Sequence, residues 1–242
     1  MHQQNKNIYR VVEKNKELDS VTTIKFVLDK DSTTPTFIPG QYIDIYLEDK
    51  NTTEGKSYSI SSSPEDSFLS ITVKEMGQFS KYLSNLNVGD VIKASNPYGY
   101  FYSESDNTNL IFIVAGISIT PIISMIRYLS KNNPKRKLNL FYSNSFENSI
   151  LFKEEINEMV KNNSNIKVTH FITKEDVVHV GCVQGRITPS FIVKEIKNSF
   201  SDDSKNEYFI CGSIAFVRDM WDGLRELNIE EEKIYTEAFF SH

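Results

Sequence analysis

The chain has 242 residues, a formal net charge of −5, 39% hydrophobic and 24% charged residues. That composition supports a packed core of one large or two modest domains, and it excludes general disorder. It offers no basic block of the kind that binds nucleic acid. Two cysteines, Cys182 and Cys211, and four scattered histidines argue against a disulfide framework, an iron–sulfur site or a structural zinc. No metal site is expected. The polar start MHQQNKNIYR has no signal-peptide character, and no apolar run is long and clean enough to span a membrane. The chain therefore reads as soluble and cytoplasmic.

Residues 8 to about 102 read as β. Val21–Leu28 (VTTIKFVL), Tyr42–Leu47 (YIDIYL), Lys56–Ser62 (KSYSISS), Phe68–Lys74 (FLSITVK) and Val91–Ala94 are short, β-branched or aromatic, and punctuated by Pro39-Gly40, Pro64-Glu65-Asp66 and Gly89-Asp90. Phe79–Leu86 predicts one short helix. Strands at this spacing predict a small closed antiparallel barrel. Ser103–Asn109 (SESDNTN) is polar and reads as a linker, which predicts domains at 1–103 and 104–242.

Beyond the linker, strands alternate with helices. Strands are predicted near Leu110–Ala115, Leu138–Tyr142, Ile166–Phe171, Tyr208–Cys211 and Lys233–Thr236. Helices are predicted near Thr120–Lys131, Ile150–Lys161, Pro189–Lys197 and Ile214–Leu227. This order predicts a doubly wound parallel sheet. The stretch LIFIVAGISITPIISMIRYL reads as buried strand, Gly turn and helix, with Thr120 at the N-cap and Pro121 in the first turn. A helix start of this kind suits a phosphate, although one Gly followed by Ile-Ser is not the full dinucleotide fingerprint. The basic loop 131–137 (KNNPKRK) reads as a solvated connection.

Four segments then need a joint account: FIPGQY (37–42), KSYS (56–59), AGISITP (115–121), and YFICGS (208–213) with YTEAFF (235–240). In this order and spacing they resemble the ferredoxin–NADP reductase family of flavoproteins over nearly the whole chain. The resemblance implies a flavin-binding barrel followed by a nicotinamide-binding α/β domain. It also implies FAD as cofactor, NADH or NADPH as substrate, and no attached iron–sulfur domain. Lys56, Ser57, Tyr58 and Ser59 match the family's Arg-x-Tyr-Ser motif with Lys for Arg. Tyr58 would lie on the flavin ring, Ser59 would hydrogen-bond near its reactive nitrogen, and Lys56 would meet a phosphate as a point charge. Val73, on the following strand, belongs to the same implied flavin site. Gly77, Gln78, Phe79 and Ser80 match the second flavin signature, whose backbone N–H groups would hold the pyrophosphate.

On the nicotinamide side, Gly116, Thr120 and Pro121 match the family turn, and Ser118 replaces its second Gly. A side chain there would limit backbone approach by a pyrophosphate. Cys211 and Gly212 match the family's Cys-Gly, with the Cys near the reacting nicotinamide carbon. Glu237 matches the terminal Glu near the reacting rings, and Phe239 and Phe240 would cover the flavin. Arg186 is a phosphate contact by the same likeness. Ser143 and Asn144 stand where NADP-using relatives place an Arg, which predicts a preference for NADH. Ser59, Cys211 and Glu237 are the implied catalytic residues. Ordinary packing accounts for several of these positions taken singly: a half-buried strand for KSYS, a helix cap for Ser80, a small core thiol for Cys211.

The implied reaction is hydride transfer from nicotinamide to flavin and passage of electrons to a ferredoxin or flavodoxin, with free flavin as the alternative acceptor. A flavin-binding electron-transfer subunit is a further reading, but the usual C-terminal Cys cluster is absent. The turn Gly116-Ile117-Ser118-Ile119-Thr120 also approaches a hydrolase nucleophile elbow with Ser118 as nucleophile, lacking its last Gly.

Overall fold

The computed structural model describes residues 6–47, 55–176, 179, 181–199 and 205–239. Two compact units form. One comprises the chain up to Tyr102 together with Thr120–Tyr128; the other comprises Ser103–Ile119 and the chain from Leu129 onward.

The first unit contains β1 (Asn7–Leu18), β2 (Val21–Leu28), β3 (Tyr42–Tyr46), β4 (Lys56–Ser59), β5 (Leu69–Lys74), α1 (Gln78–Ser84) and β6 (Val91–Ala94). They form one antiparallel sheet in the order β4-β3-β6-β1-β2-β5. Just past β4, Ile60 bridges to Ile71 and Ser61 N–H donates to Ser70 O at 2.8 Å, so the two ends of the sheet meet and close a barrel. Closure removes exposed edges, and one side chain in two then fills the interior. Tyr9, Val11, Ile24, Phe26, Ile43, Ile45, Ile71 and Val73 make that core. β1 escaped delimitation because its second half, EKNKE, is exposed and polar. Its pairing with β2 alone, through backbone groups, continues the strand there.

Residues Thr120–Tyr128 pack with this barrel. Ser124 Oγ donates to Ser62 O at 2.6 Å, and an Arg127 guanidinium N–H donates to Ser61 O. Gly40 sits at φ +101°, and a Cβ there would come within 1.9 Å of Phe101 O and 2.5 Å of the Met125 methyl.

The second unit's sheet is parallel throughout. Its strands are β7 (Asn109–Ala115), β8 (Leu138–Asn144), β9 (Ile166–Ile172), β10 (Cys182–Gln184), β11 (Asn206–Ser213) and β12 (Ile234–Phe239), in the order β10-β9-β8-β7-β11-β12. Helices α2 (Thr120–Asn132), α3 (Lys153–Asn162), α4 (Pro189–Ser199) and α5 (Ile214–Glu226) connect them. The chain moves outward from β7 to β10 and returns to β11 on the other side of β7. The winding therefore reverses between β7 and β11, the place where sheets of this kind bind ligands at their carboxyl edge.

Three local expectations change. Thr120 is not an N-cap: Gly116–Ile119 is a 3₁₀ turn, and Ile119 already has helical angles (φ −64°, ψ −19°), so the turn runs straight into α2. α3 starts at Lys153 rather than Ile150, because Phe152 takes a left-handed conformation at φ +57°. The basic loop is not wholly solvated. Arg136 is 7% exposed and donates to Thr108 O, Ser103 Oγ and Thr108 Oγ1, each at 2.7 Å, pinning the predicted linker.

Candidate functional site

In the barrel, β4 exposes Lys56 and Ser57, half-buries Tyr58 and buries Ser59. The Tyr58 ring lies 6.1 Å from the Phe79 ring at 16° between planes, and the Lys56 ammonium lies 5.4 Å from the same Phe79 ring. Burial pushes the Tyr58 phenol up to about 12, so it stays a neutral aromatic surface at any working pH. Ser57 Oγ donates to Asp44 Oδ1 at 2.6 Å, and Tyr98 OH donates to the other oxygen of that carboxylate. Val73 is fully buried in the barrel core.

The Gly77–Ser80 turn is built by one side chain. Ser80 Oγ accepts from Met76 N–H (2.8 Å) and Gly77 N–H (3.0 Å) and donates to Gly77 O (3.0 Å). Its hydroxyl is thus spent inside the turn, and Ser80 shapes the backbone at Gln78 and Phe79. Gly77 has extended angles that any residue adopts, and nothing lies within 4 Å of where its Cβ would be. The open side of that turn is the kind of approach a phosphate group uses.

In the second unit, the carboxyl ends of β7, β11 and β12 bring Ser118, Cys211 and Glu237 together. Cys211 pairs with Val114 on β7 and with Glu237 on β12. Ser118 is 2% exposed and hydrogen-bonds the Cys211 thiol, which is fully buried. Burial pushes that thiol far up, the Glu237 carboxylate adds to the rise, and the Ser118 hydrogen bond offsets part of it. Cys211 is therefore a neutral thiol and not a nucleophilic thiolate. The Ser118 side chain turns inward, which overturns the expectation that it obstructs a ligand on the outside of the turn. It also removes the hydrolase reading: its hydroxyl meets a thiol, and the buried His170 ring nitrogens have no hydrogen-bond partner among the described residues.

Gly116 has φ +55°, a conformation that suits glycine, with open space where a Cβ would be. Its carbonyl accepts a hydrogen bond from Tyr142 OH at 3.0 Å. Tyr142 is fully buried; burial pushes its phenol up, and the nearby Leu151 backbone and Asn144 side chain offset part of that. Thr120 and Pro121 are buried, and Gly212 lies under the Phe216 ring, where a Cβ would come within 2.3 Å of that ring.

β8 runs to Asn144, two residues beyond its predicted end. Asn144 is 5% exposed, and its Nδ2 is shut off from solvent, whereas Ser143 is half-buried. Past that end, Glu147 accepts from His179 N–H at 2.7 Å and meets His179 Nδ1 at 2.6 Å. Glu175 Oε1 accepts from Glu147 N–H at 2.9 Å. Arg186 is exposed after Gly185, and Phe239 is half-buried at the end of β12. Phe240 lies outside the described residues.

Tyr142 and Glu147 were missed from the sequence. A tyrosine near the end of an otherwise apolar strand was the available signal, because a buried phenol needs a partner for its hydroxyl.

A closed barrel with an open glycine turn, and a parallel sheet with an open glycine turn at its switch point, fit an oxidoreductase that binds FAD and a nicotinamide nucleotide. Family models bear this out: one described as an oxidoreductase FAD-binding domain matches residues 9–102, and one described as an oxidoreductase NAD-binding domain matches residues 112–222. The chain belongs to the ferredoxin–NADP reductase family.

Among curated relatives, a flavohemoprotein of Bacillus subtilis (strain 168) is 29% identical over 238 residues, covering 95% of this chain and 58% of that protein. NADH-cytochrome b5 reductase 1 of Mycosarcoma maydis is 26% identical over 231 residues, covering 93% and 70%. The chain spans just over half the length of the flavohemoproteins it matches. Two solved structures share the fold. The FAD/NAD-binding domain of a nitric oxide dioxygenase from Vibrio cholerae O1 biovar El Tor has a TM-score of 0.84 at 23% identity, covering 96% of this chain and 98% of that one. A ferredoxin NADP+ reductase from Neisseria gonorrhoeae with bound FAD and NADP has a TM-score of 0.82 at 17% identity, covering 97% and 99%. No helix among the described residues is long and apolar enough to cross a membrane, which says nothing of β-barrel membrane proteins.

Proposed function

We propose that this chain takes hydride from NADH onto FAD and passes the electrons to a redox protein, with residues 1–103 serving the flavin and 104–242 the nucleotide. The observation that carries the reading is the cluster of buried Ser118 and Cys211 with half-buried Glu237 at the switch point of the parallel sheet. Bound FAD supplies two-electron acceptance and one-electron release; the protein supplies position and dryness. Tyr58 gives the flavin a ring face, Ser59 a hydroxyl and Lys56 a cation, while Gly77, Gln78 and Phe79 offer backbone to its pyrophosphate. The Gly116–Ile119 turn receives the nucleotide's pyrophosphate, with Ser143 beside it on the neighbouring strand; Arg186, which follows β10 three strands away, is a phosphate contact by the family likeness alone. Cys211, a neutral buried thiol, backs the place of the reacting nicotinamide ring, with the half-buried Glu237 beside it.

NADH is favoured over NADPH by charge. Beyond the end of β8 lie the carboxylates of Glu147, paired with Lys153 at 3.9 Å, and of Glu175, and a 2′-phosphate would meet them without an arginine fork. Both cysteines are thiols, which suits a cytoplasmic protein.

Ferredoxin or flavodoxin is the acceptor the family's name suggests. A haem protein is the second reading, favoured because the curated relatives are named flavohemoproteins and a cytochrome b5 reductase. The test is anaerobic assay of the FAD-loaded protein with NADH or NADPH against ferredoxin, flavodoxin, a b-type cytochrome and free FMN. NADH-dependent reduction of one protein acceptor well above that of free FMN is the expected result. Apoprotein that takes up no FAD on titration would overturn the reading.

A further inference from the structure

We propose that Tyr142 is a positioning residue for the nicotinamide dinucleotide: its buried hydroxyl sets the orientation of the Gly116–Ile117 peptide that meets the pyrophosphate. This rests on the reading that the Gly116 turn receives that nucleotide. Tyr142 lies opposite Val114 in the β7–β8 register, and its hydroxyl reaches past the end of β7 to Gly116 O at 3.0 Å. A trans peptide is planar, and its C=O and N–H point in opposite directions. Holding Gly116 O toward Tyr142 therefore aims the Ile117 N–H away from that hydroxyl.

Two facts give such an anchor a role beside the 3₁₀ bonds of the turn itself. Gly116, at φ +55°, is the residue type at which a peptide reorients with least steric cost. Among the described residues, the chain neighbours of Gly116 aside, no atom lies within 4 Å of where a Cβ would project, so packing does not brace that side of the turn. The first N–H groups of a helical segment have no partner within it, and these are the donors an anion uses. The Tyr142 ring is itself held: it is fully buried, and the His170 ring lies 5.9 Å away at 49°. The anchor belongs to β8, so the turn after β7 depends on a residue 26 positions later in the chain.

The experiment uses the full-length, FAD-loaded protein and Tyr142→Phe, which keeps the ring and deletes only the hydroxyl. Rapid anaerobic mixing with NADH gives a dissociation constant and a limiting rate of flavin reduction. The dissociation constant should rise about five- to tenfold, the worth of one hydrogen bond, with the limiting rate, FAD content and flavin spectrum unchanged. Reduced nicotinamide mononucleotide lacks the pyrophosphate and should bind wild type and variant equally. 4-Aminophenylalanine at position 142 restores a donor and should restore NADH affinity. A variant that melts lower yet binds NADH as wild type does would overturn the proposal, as would equal weakening of NADH and the mononucleotide. Wild type that NADH fails to reduce would refute the functional reading itself, a separate outcome.

Discussion

The hydroxyl of Ser118 meets the thiol of Cys211, and neither is open to solvent. The residue that departs from the family's glycine thus faces β11 and not a ligand. Ser118→Gly is expected to leave the NADH KM within about twofold, because it clears no space where the ligand lies. It should cost about 1 kcal/mol of stability through the lost hydrogen bond and a small void. Steady-state kinetics beside urea unfolding checks both. A clear fall in KM would show that the side chain stands in the nucleotide's way.

Stability should fall in mild acid because of His170. Its ring is buried, and that desolvation, with the Lys153 charge adding to it and the Glu147 charge opposing it, pushes it down to about 4 from an ordinary 6.5. Between those values the unfolded chain binds a proton that the folded one refuses. Stability is therefore fully present above pH 6.5, declines as pH drops toward 4, and levels off below. The full decline is about 3 kcal/mol. Urea unfolding at pH 7 and pH 5 measures it, and His170→Gln should flatten most of the slope.

Lys56→Ala should loosen FAD by about three- to tenfold, the loss of one exposed phosphate contact. The side chain is exposed beside Phe79 and is placed to reach outward. Fluorescence titration of apoprotein reads the affinity. The wild-type advantage should shrink in high salt, and Lys56→Arg should match or exceed wild type.

Gly40→Ala tests the barrel. A Cβ there would lie 1.9 Å from Phe101 O in a backbone conformation at φ +101°. The clash is with backbone and cannot be relieved by a rotamer change. A loss of about 3 kcal/mol or more is expected, read from thermal or urea unfolding.

Asn144→Arg should not convert the enzyme to NADPH. Asn144 is 5% exposed with its amide nitrogen shielded, so the guanidinium would enter the interior without a partner. The expected result is a lower melting midpoint, with NADH still preferred. A stable variant that favours NADPH would place the ribose at Asn144 after all.

Much of this protein was legible in its sequence, for reasons that are local. β-branched and aromatic runs with punctuation mark VTTIKFVL, YIDIYL and FLSITVK as barrel strands, although only YIDIYL alternates in burial. The LIFIVA run and the helix after it mark a buried βα unit, and the order of such units implies a parallel sheet. Cys211 and Glu237 were named by motif and lie side by side.

What the sequence left open depends on groups brought together from distant positions. β10 is three residues long and exists because its backbone pairs with β9, not because of its own composition. The direction of Ser118 is set by a cysteine more than ninety positions away. Arg136 reads as one cation in a basic run, yet carbonyl and hydroxyl oxygens of the linker surround it. The hold of Tyr142 on Gly116 appears only once β8 lies beside β7. Periodicity reports which face of an element is buried. Which polar atom then finds which partner is decided by sheet order and register, because a hydrogen bond needs its two atoms about 3 Å apart.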